Sequence, residues 1–305
     1  MINFNEQEEI FNHKFAGSER KKAFLFCGRL HMVKFPDPVR AAKNELSYMN
    51  NQFSEDIGCK IFRSVGIPTQ KTFLGTYTNP EGVRKIVVAC EDFCTNGYEL
   101  MEFSKLVRMN TDDEARNHWV CNIEDVIDTI DHIPKITDTQ KEMFKKRFWD
   151  MFVIDALIGN GDRHLDNWGF LTKGNIIKEA PVYDCGSALS ALLSDERMAQ
   201  NLDNAAEFSS AEYNIPSAYT YHGKRVFYHE IFKNPPDGLK QAIQRIVPKV
   251  SMRTVEMILN ATPGLSDIRK EYLKKAMQFR YDRILAPALK KVKAEHAEPD
   301  RGRGR

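Results

Sequence analysis

The amino-acid sequence predicts an α+β protein with a β-rich N-terminal lobe and a mostly helical C-terminal lobe. Short apolar runs separated by turn residues dominate the first part of the chain, and they are typical of strands. After about Gly97 the apolar residues follow a helical spacing. The expected boundaries are 1–95 for the N-lobe, 96–295 for the C-lobe and 296–305 for a disordered Gly/Arg tail.

The composition is that of an ordinary globular chain, with 305 residues, a net charge of +2, 42% hydrophobic residues and 28% charged residues. A charge so close to balance demands neither nucleic acid nor an anionic membrane as partner. The six cysteines are scattered without Cys-x-x-Cys spacing, so no zinc site is expected. No secretory signal and no apolar window of membrane-spanning length is visible, so we expect a cytoplasmic protein.

The segment 23–35 predicts two strands joined at Gly28 and Arg29. Lys34 lies in the second strand between apolar neighbours. A lysine in this position is either a charged guard of an edge strand or a buried cation with a function. In a phosphotransferase that function would be to hold the α- and β-phosphates.

The segment 54–65 predicts a helix that Ser54 opens, with Glu55 in its first turn. A carboxylate there is favourable near a helix N-terminus whatever its function. The functional alternative is an ion pair between Glu55 and Lys34, for which Glu45 is the competing partner. We favour Glu55.

Two further strands, 71–77 and 85–90, precede the segment from Glu91 to Phe93, where the chain is expected to cross between the lobes. The backbone of this crossing could bind adenine. Beyond it the periodicity predicts helices at 98–109, 112–118, 121–131 and 138–158, and several more between 237 and 293.

The most informative stretch is 159–169, Gly-Asn-Gly-Asp-Arg-His-Leu-Asp-Asn-Trp-Gly. Asp162 and Asn167 have the spacing of the catalytic-loop Asp and Asn of protein kinases. Asp184 follows in an Asp-x-Gly motif, which in those enzymes supplies a further magnesium carboxylate. Three such oxygen-bearing side chains suit Mg²⁺ with a nucleotide. These residue types are also common in loops. However, a helix at 144–158 precedes them, and two short strands at 168–171 and 181–183 are expected to follow. We therefore predict an ATP-dependent phosphotransferase.

A phosphate-binding loop is harder to identify. The segment from Gly17 to Lys22 precedes the first strand and includes Ser18, and its basic end could attract phosphate. It lacks both the Gly-x-Gly-x-x-Gly of protein kinases and the Walker pattern of P-loop enzymes.

These motifs together resemble the HipA-like serine/threonine kinases, and in particular their short CtkA-type members. The motifs that carry this resemblance are Met-Val-Lys-Phe-Pro around Lys34, Ser-Glu-Asp-Ile-Gly-Cys around Glu55, the 159–170 loop and Tyr-Asp-Cys-Gly-Ser around Asp184. The resemblance runs from about Lys22 to Asp282 and implies the two-lobed protein-kinase-like fold. It implies the following roles: Asp162 as general base, Asn167 and Asp184 as magnesium ligands, Lys34 as phosphate clamp, His164 and Tyr183 at the phosphate end of the site, and the backbone from Glu91 to Phe93 at adenine.

The resemblance also implies ATP and Mg²⁺ as cofactors and a protein substrate. HipA-like kinases phosphorylate a serine of their own phosphate loop, and Ser18 occupies the resembling loop here. Longer HipA toxins carry an extra N-terminal subdomain for which this chain has no room. Three uses therefore stay open: a self-contained toxin, a kinase that pairs with a separately encoded regulator of the antitoxin kind, and another signalling use. A protein substrate is expected in each case.

Two alternatives remain open. The Asp-Arg-His-x-x-Asn run also resembles phosphatidylinositol kinases, but their activation segments need basic residues. Here the segment 187–217 has five acids against Arg197 alone: Asp195, Glu196, Asp203, Glu207 and Glu212. This charge would repel an inositol phosphate and suits a neutral or basic protein substrate. The other alternative is a nucleotide-binding pseudokinase that acts as an interaction module.

Overall fold

The structure is a computed structural model that describes residues 1–11, 21–36, 50–110 and 121–297. The strands are β1 Ile2–Asn3, β2 Glu8–Glu9, β3 Lys21–Phe26, β4 Arg29–Lys34, β5 Thr72–Thr78, β6 Arg84–Glu91, β7 Glu99–Glu102, β8 Cys121–Asn122, β9 Gly169–Lys173, β10 Ile176–Glu179, β11 Pro216–Tyr221 and β12 Lys224–Phe227. The helices are α1 Asn51–Ser64, α2 Phe103–Asn110, α3 Ile123–Asp131, α4 Asp138–Ile158, α5 Asp195–Asp203, α6 Ala205–Tyr213, α7 Tyr228–Ile231, α8 Asp237–Ile246, α9 Met252–Asn260, α10 Asp267–Arg280 and α11 Ala286–Ala297. Most strands precede α2 and most helices follow it, so the predicted α+β class is confirmed.

The N-lobe is built on a six-stranded sheet with the order β1-β5-β6-β4-β3-β2. The β3–β4 hairpin turns through Cys27 and Gly28, both with positive φ, one residue earlier than the sequence predicts. Strand β4 pairs with β3 on one side and with β6 on the other. Lys34 therefore lies on an interior strand, and the interpretation of this lysine as an edge-strand guard is wrong.

Helix α1 begins at Asn51, three residues before the predicted start at Ser54. The N–H of Ser54 donates to the carbonyl of Asn50, so Ser54 lies inside the helix and does not cap it. The first turn holds no acidic residue, because Glu55 lies beyond it. Glu55 is also buried, so it cannot be explained as a solvated helix-end charge. The helix packs between β5 and β6 on one side and α4 and α9 on the other.

Helix α4 has the predicted bounds and supports the polar loop that follows it. Its start is fixed by a capping box between Thr137 and Gln140. It ends at Gly159, whose φ of 66° is left-handed. A Cβ at Gly159 would lie 2.9 Å from Cδ1 of Ile215, so both the backbone conformation and the packing favour glycine here.

Two predicted elements differ from the structure. The predicted helix 98–109 begins instead with strand β7, and the helix α2 starts only at Phe103. Strand β9 pairs with β7 on one side and with β10 on the other, so residues 181–183 do not form the second strand of the hairpin. In that segment Val182 makes a single bridge to Thr69. The predicted helix 112–118 lies outside the described residues.

One large apolar core joins the lobes, because α1 contributes to the same cluster as α4 and the helices after it. A second, smaller cluster covers the opposite face of the N-lobe sheet and consists of Phe4, Phe24, Val33, Phe35, Val87 and Ala89. None of the helices in the described part of the chain has both the length and the apolar composition needed to cross a membrane.

Candidate active site

A buried guanidinium lies at the centre of the polar site between the lobes. Arg163 follows α4 in the polar loop and its side chain is only 1% exposed. Its Nε and Nη2 donate to the two carboxylate oxygens of Asp155 at 3.0 and 3.1 Å. Burial alone would lower the pKa of Arg163, but the Asp155 carboxylate raises it well above its usual value. The guanidinium is therefore charged, while burial raises the pKa of the Asp155 carboxyl and Arg163 opposes that rise.

The same guanidinium also connects two chain segments. Its Nη1 donates to the carbonyl of Asn167 at 2.9 Å, to that of Asp184 at 3.1 Å and to that of Tyr183. Arg163 thus holds the polar loop against the segment that contains Asp184. No role was predicted for Arg163 from the sequence. A signal was available in Asp155, a carboxylate in an otherwise apolar run that needs a buried partner.

Lys34 joins the N-lobe to this site. Its Nζ lies 3.2 Å from Oε2 of Glu55 and 3.2 Å from Oδ1 of Asp184. The predicted pair between Lys34 and Glu55 is therefore present, and the competing Glu45 lies outside the described residues. Burial would raise the pKa of Asp184, but Lys34 and Arg163 outweigh it and lower that pKa. Asp184 is consequently an ionised carboxylate.

Helix α1 approaches the Asp184 segment closely. The N–H of Cys185 donates to Oε1 of Glu55 at 3.2 Å. A Cβ on Gly58 would lie 2.6 Å from Cβ of Cys185, so only glycine permits this contact. The position of α1 and that of residue 185 are thus fixed together.

Glu55, Cys59 and Cys185 bring their ligand atoms within 4.8 Å of one another, a spacing compatible with a metal ion. Two cations oppose that interpretation, since Lys34 contacts Glu55 and Arg163 donates to Sγ of Cys185 at 3.4 Å. The hydrogen bond to Cys185, together with burial, raises the pKa of the Cys59 thiol well above its usual value. This cluster therefore packs α1 against residue 185 and does not suit a metal ion.

Asp162 and Asn167 lie on the same loop, but Asn167 is buried whereas the Asp162 side chain is partly exposed. The amide Nδ2 of Asn167 donates to the carbonyl of Asp162 at 2.7 Å, which leaves the amide oxygen as an acceptor. The N–H of Asp162 donates to Oδ1 of Asn160 at 3.1 Å. The Asp162 carboxylate is 46% exposed and accepts a hydrogen bond from the Ser187 hydroxyl at 2.9 Å. A base that is held by its backbone but open at its carboxylate could reach a substrate hydroxyl.

His164 and Tyr183 were expected at the phosphate end of the site. Nε2 of His164 lies 3.9 Å from Oδ1 of Asp162, so this residue flanks the candidate base. The Tyr183 hydroxyl donates to the carbonyl of Asp166 at 3.1 Å, and its ring centroid lies 5.7 Å from that of Phe93. Tyr183 therefore lies on the side of the crossing segment, which differs from its expected placement.

The crossing segment offers little free hydrogen-bonding capacity at Glu91. Its carboxylate pairs with Arg29 and Lys71, and its carbonyl accepts a hydrogen bond from Nε2 of Gln70 at 3.0 Å. Burial would raise the pKa of Glu91, but these two cations lower it. By contrast, the N–H of Phe93 makes no hydrogen bond within the described ranges. It is the better candidate for contact with a base.

Lys22 is the expected phosphate-loop residue that the structure places elsewhere. It lies opposite Val33 in the β3–β4 ladder, so both point to the outer face of the sheet. Lys34 is the next residue along β4 and points to the other face. The Lys22 Nζ is bound to Glu9 at 2.8 Å and to the Tyr77 hydroxyl at 3.0 Å. The prediction that Lys22 contacts the nucleotide is therefore wrong. Gly17 and Ser18 lie outside the described residues.

The buried pair allows a stability test. We expect Asp155→Ala to lower the free energy of unfolding by about 3–5 kcal/mol, because it leaves a buried guanidinium without its counter-charge. Chemical denaturation monitored by circular dichroism measures the change. Glu256→Ala is the control, since Glu256 pairs with Lys274 at the surface, where ion pairs contribute little. An equal loss in both variants would contradict the central role given to the Arg163 pair.

Comparison with known proteins identifies the family. The sequence profile of the HipA-like C-terminal domain matches residues 14–254. The serine/threonine-protein kinase CtkA of Helicobacter pylori strain J99 is 38% identical over 279 residues, which are 89% of this chain and 82% of that protein. The crystal structure of the H. pylori proinflammatory kinase CtkA matches with a TM-score of 0.87 at 35% identity, over 96% of this chain and 98% of that one.

A more distant match shares the fold alone. A chain of the Shewanella oneidensis MR-1 toxin–antitoxin complex of HipA, HipB and operator DNA matches with a TM-score of 0.52 at 13% identity, over 92% of this chain and 67% of that one. The profile match and the identity to CtkA cover most of the sequence. The chain therefore belongs to the HipA-like family, as a kinase of the CtkA type.

Proposed function

We propose that the protein is an ATP-dependent serine/threonine protein kinase that transfers the γ-phosphate to a protein hydroxyl with Mg²⁺. The observation that carries this proposal is the arrangement around Asp184. Its ionised carboxylate is paired with Lys34, while the open carboxylate of Asp162 lies on the neighbouring loop. The serine/threonine-protein kinase CtkA, at 38% identity, supports the same assignment.

Asp162 is the proposed general base. Its carboxylate would accept the proton of the substrate hydroxyl, a contribution that typically increases the rate by about 10²–10⁴-fold. The loop backbone is bound on two sides by Asn160 and Asn167, which limits the movement of Asp162. Precise placement of such a group is as important to the rate as its basicity.

Asn167 and Asp184 are the residues proposed to hold Mg²⁺, and their donor atoms fit that ion. The Asn167 amide turns its nitrogen to the Asp162 carbonyl, so its oxygen is the ligand atom. Asp184 supplies a charged oxygen, since its pKa is lowered. Both are the hard oxygen ligands that Mg²⁺ prefers. When bound, Mg²⁺ neutralises charge on the nucleotide phosphates.

Lys34 is proposed to contact the α- and β-phosphates. Its side chain is only 7% exposed, so most of its stem is buried and its ammonium has little freedom. Glu55 keeps the lysine in this position, and Asp184 lies on its other side. At the crossing segment, the N–H of Phe93, which makes no hydrogen bond to any residue that the structure describes, is proposed to bind adenine, with the Tyr183 ring beside it.

The lipid-kinase alternative depends on the charge of the segment 187–217, and ion pairs in the structure neutralise part of that charge. Asp195 pairs with Arg269 at 2.9 Å, and Glu212 is buried against Arg280 and Tyr272. Glu196, Asp203 and Glu207 remain, and Glu207 lies 3.5 Å from Arg197. The segment still offers no basic cluster for an inositol phosphate, so a protein hydroxyl remains the better acceptor.

The pseudokinase alternative concerns turnover. Such proteins usually lose one of the four residues equivalent to Lys34, Asp162, Asn167 and Asp184, whereas this chain retains all of them. We therefore favour an active enzyme. An assay of labelled γ-phosphate transfer from Mg–ATP to the protein itself or to a generic basic protein distinguishes an active kinase from a pseudokinase.

A separately encoded partner is part of the proposal. The fold is shared with a chain from a complex that contains HipA, HipB and operator DNA. We propose that a second protein of antitoxin kind regulates this kinase, and that the kinase itself makes no direct contact with nucleic acid. Co-purification from cells that express both proteins tests the partner.

The role of Asp162 leads to the first test of mechanism. We expect Asp162→Asn to lower phosphate transfer by about 10²–10⁴-fold while nucleotide affinity stays within a few fold, because a general base acts on the rate and little on ground-state binding. Labelled transfer and calorimetry measure the two quantities. Asp166→Asn, a change of the same kind on the same loop, is the control and should retain most activity. Near-normal transfer by Asp162→Asn would remove Asp162 from its role.

The metal assignment leads to a second test. We expect Asp184→Asn to weaken binding of the Mg–nucleotide complex, because it removes a charged ligand oxygen, and Asn167→Ala to weaken it less. Calorimetry with and without Mg²⁺ provides the measurement. The difference in nucleotide affinity between Asp184→Asn and the wild type should be present with Mg²⁺ and absent without it. Equal affinity of Asp184→Asn and the wild type in Mg²⁺ would indicate a purely structural aspartate.

Autophosphorylation is proposed at Ser18. A phosphate there would add roughly −1.5 to −2 charges beside the basic end of its loop, and it would inhibit the enzyme by displacing nucleotide phosphates or by expelling the loop. Intact-mass measurement and peptide mapping after incubation with Mg–ATP should show phosphoserine at Ser18. An unmodified Ser18 in an enzyme that phosphorylates other proteins would contradict the proposal.

A further inference from the structure

The hydroxyl of Ser187 is a polar contact of the candidate base that the proposed mechanism leaves unused. It donates to Oδ2 of Asp162 at 2.9 Å across 25 residues of sequence. Ser187 itself is exposed, whereas its neighbours Gly186 and Ala188 are buried. The hydroxyl therefore reaches out of a buried segment to the edge of the cleft.

The backbone that carries Ser187 is fixed on both sides. On one side, a Cβ on Gly186 would lie 3.5 Å from Oε2 of Glu55, so this residue packs closely on α1. On the other, the N–H of Ala188 donates to the carbonyl of Cys185 at 3.1 Å, and that of Leu189 donates to Ile158 at 3.0 Å. These contacts tie the segment to α1 and to the end of α4. The Ser187 hydroxyl is thus presented to Asp162 from a rigid support.

The contact leaves the base free to act. An ionised carboxylate offers about four acceptor positions, and Ser187 occupies one of those on Oδ2. The other oxygen, Oδ1, faces His164 at 3.9 Å, and nearly half of the side chain remains exposed, at 46%. A substrate hydroxyl can therefore donate to Asp162 without displacing Ser187.

We propose that Ser187 is a positioning residue that orients the Asp162 carboxylate toward the substrate hydroxyl. This inference rests on the proposed kinase function. In the transfer step the substrate oxygen forms its bond to the γ-phosphorus, the bond to the β-phosphate oxygen breaks, and the substrate proton passes to Asp162. Ser187 keeps its own proton throughout. Its contribution is to restrict the rotation of a carboxylate that solvent would otherwise leave mobile.

Steady-state kinetics tests the role. We expect Ser187→Ala to lower kcat by about tenfold to a hundredfold, the effect of losing one hydrogen bond to a charged group, while KM for ATP is unchanged. Ser187→Thr keeps the hydroxyl at an exposed position and should restore most of kcat. Ser190→Ala, from the same segment, is the control and should behave as the wild type. An unchanged kcat in Ser187→Ala overturns the proposal.

A double-mutant cycle separates positioning from a general effect on the fold. In the Asp162→Asn background, Ser187→Ala should cause no further loss of residual transfer, because the group that it orients is gone. Additive losses would overturn the proposal. So would phosphate found on Ser187 by peptide mapping after incubation with Mg–ATP, since the hydroxyl would then be an acceptor.

A crystal structure of Ser187→Ala provides a measurement that does not depend on activity. We expect the Asp162 side chain to leave its single orientation or to occupy several. An unchanged side chain would overturn the positioning role even if the wild type transferred phosphate. If the wild type transferred no phosphate, the proposed function would be contradicted. The positioning role would still be supported if Asp162 were mobile in Ser187→Ala.

Discussion

The buried guanidinium of Arg163 is the interaction on which the site depends. It is bound through two hydrogen bonds to Asp155 in α4, and through its remaining nitrogen to three carbonyls of the loop and of the Asp184 segment. Planar guanidinium geometry allows one side chain to satisfy all these acceptors, which a lysine could not do. Because a buried charge is costly unless it is paired, the helix, the loop and the segment must form together.

A chain of alternating charges extends from this pair toward the N-lobe. Arg163 and Lys34 both lower the pKa of Asp184, and Lys34 is in turn neutralised by Glu55 on α1. Each charge therefore compensates the burial of the next one. The arrangement keeps Asp184 ionised in a place where burial alone would raise its pKa, and an ionised carboxylate is a favourable ligand for Mg²⁺.

Local patterns in the sequence predicted the features that depend on neighbouring residues of the chain. The bounds of α4, the β3–β4 hairpin and the spacing of Asp162 and Asn167 follow from periodicity and turn residues. Contacts between distant segments could not be obtained in this way. The outward direction of Lys22 depends on strand register, the early start of α1 depends on its packing between the lobes, and the Ser187 contact joins residues on separate segments. Strand β7 was missed because four residues carry too little periodicity to outweigh a helical pattern.

The close approach of α1 to Cys185 connects the charges to the backbone. With no Cβ on Gly58, the helix lies against Cys185, and Glu55 both accepts the Cys185 N–H and holds Lys34. Withdrawal of α1 would therefore break the lysine pair and remove one support of the segment that carries Asp184 and Ser187, which Arg163 and the end of α4 also hold. Since Ser187 in turn contacts Asp162, the proposed base, the proposed metal ligand and the proposed phosphate clamp are all connected to a single helix. A partner that moved α1 would thereby act on Lys34 and Asp184 directly and on Asp162 through Ser187.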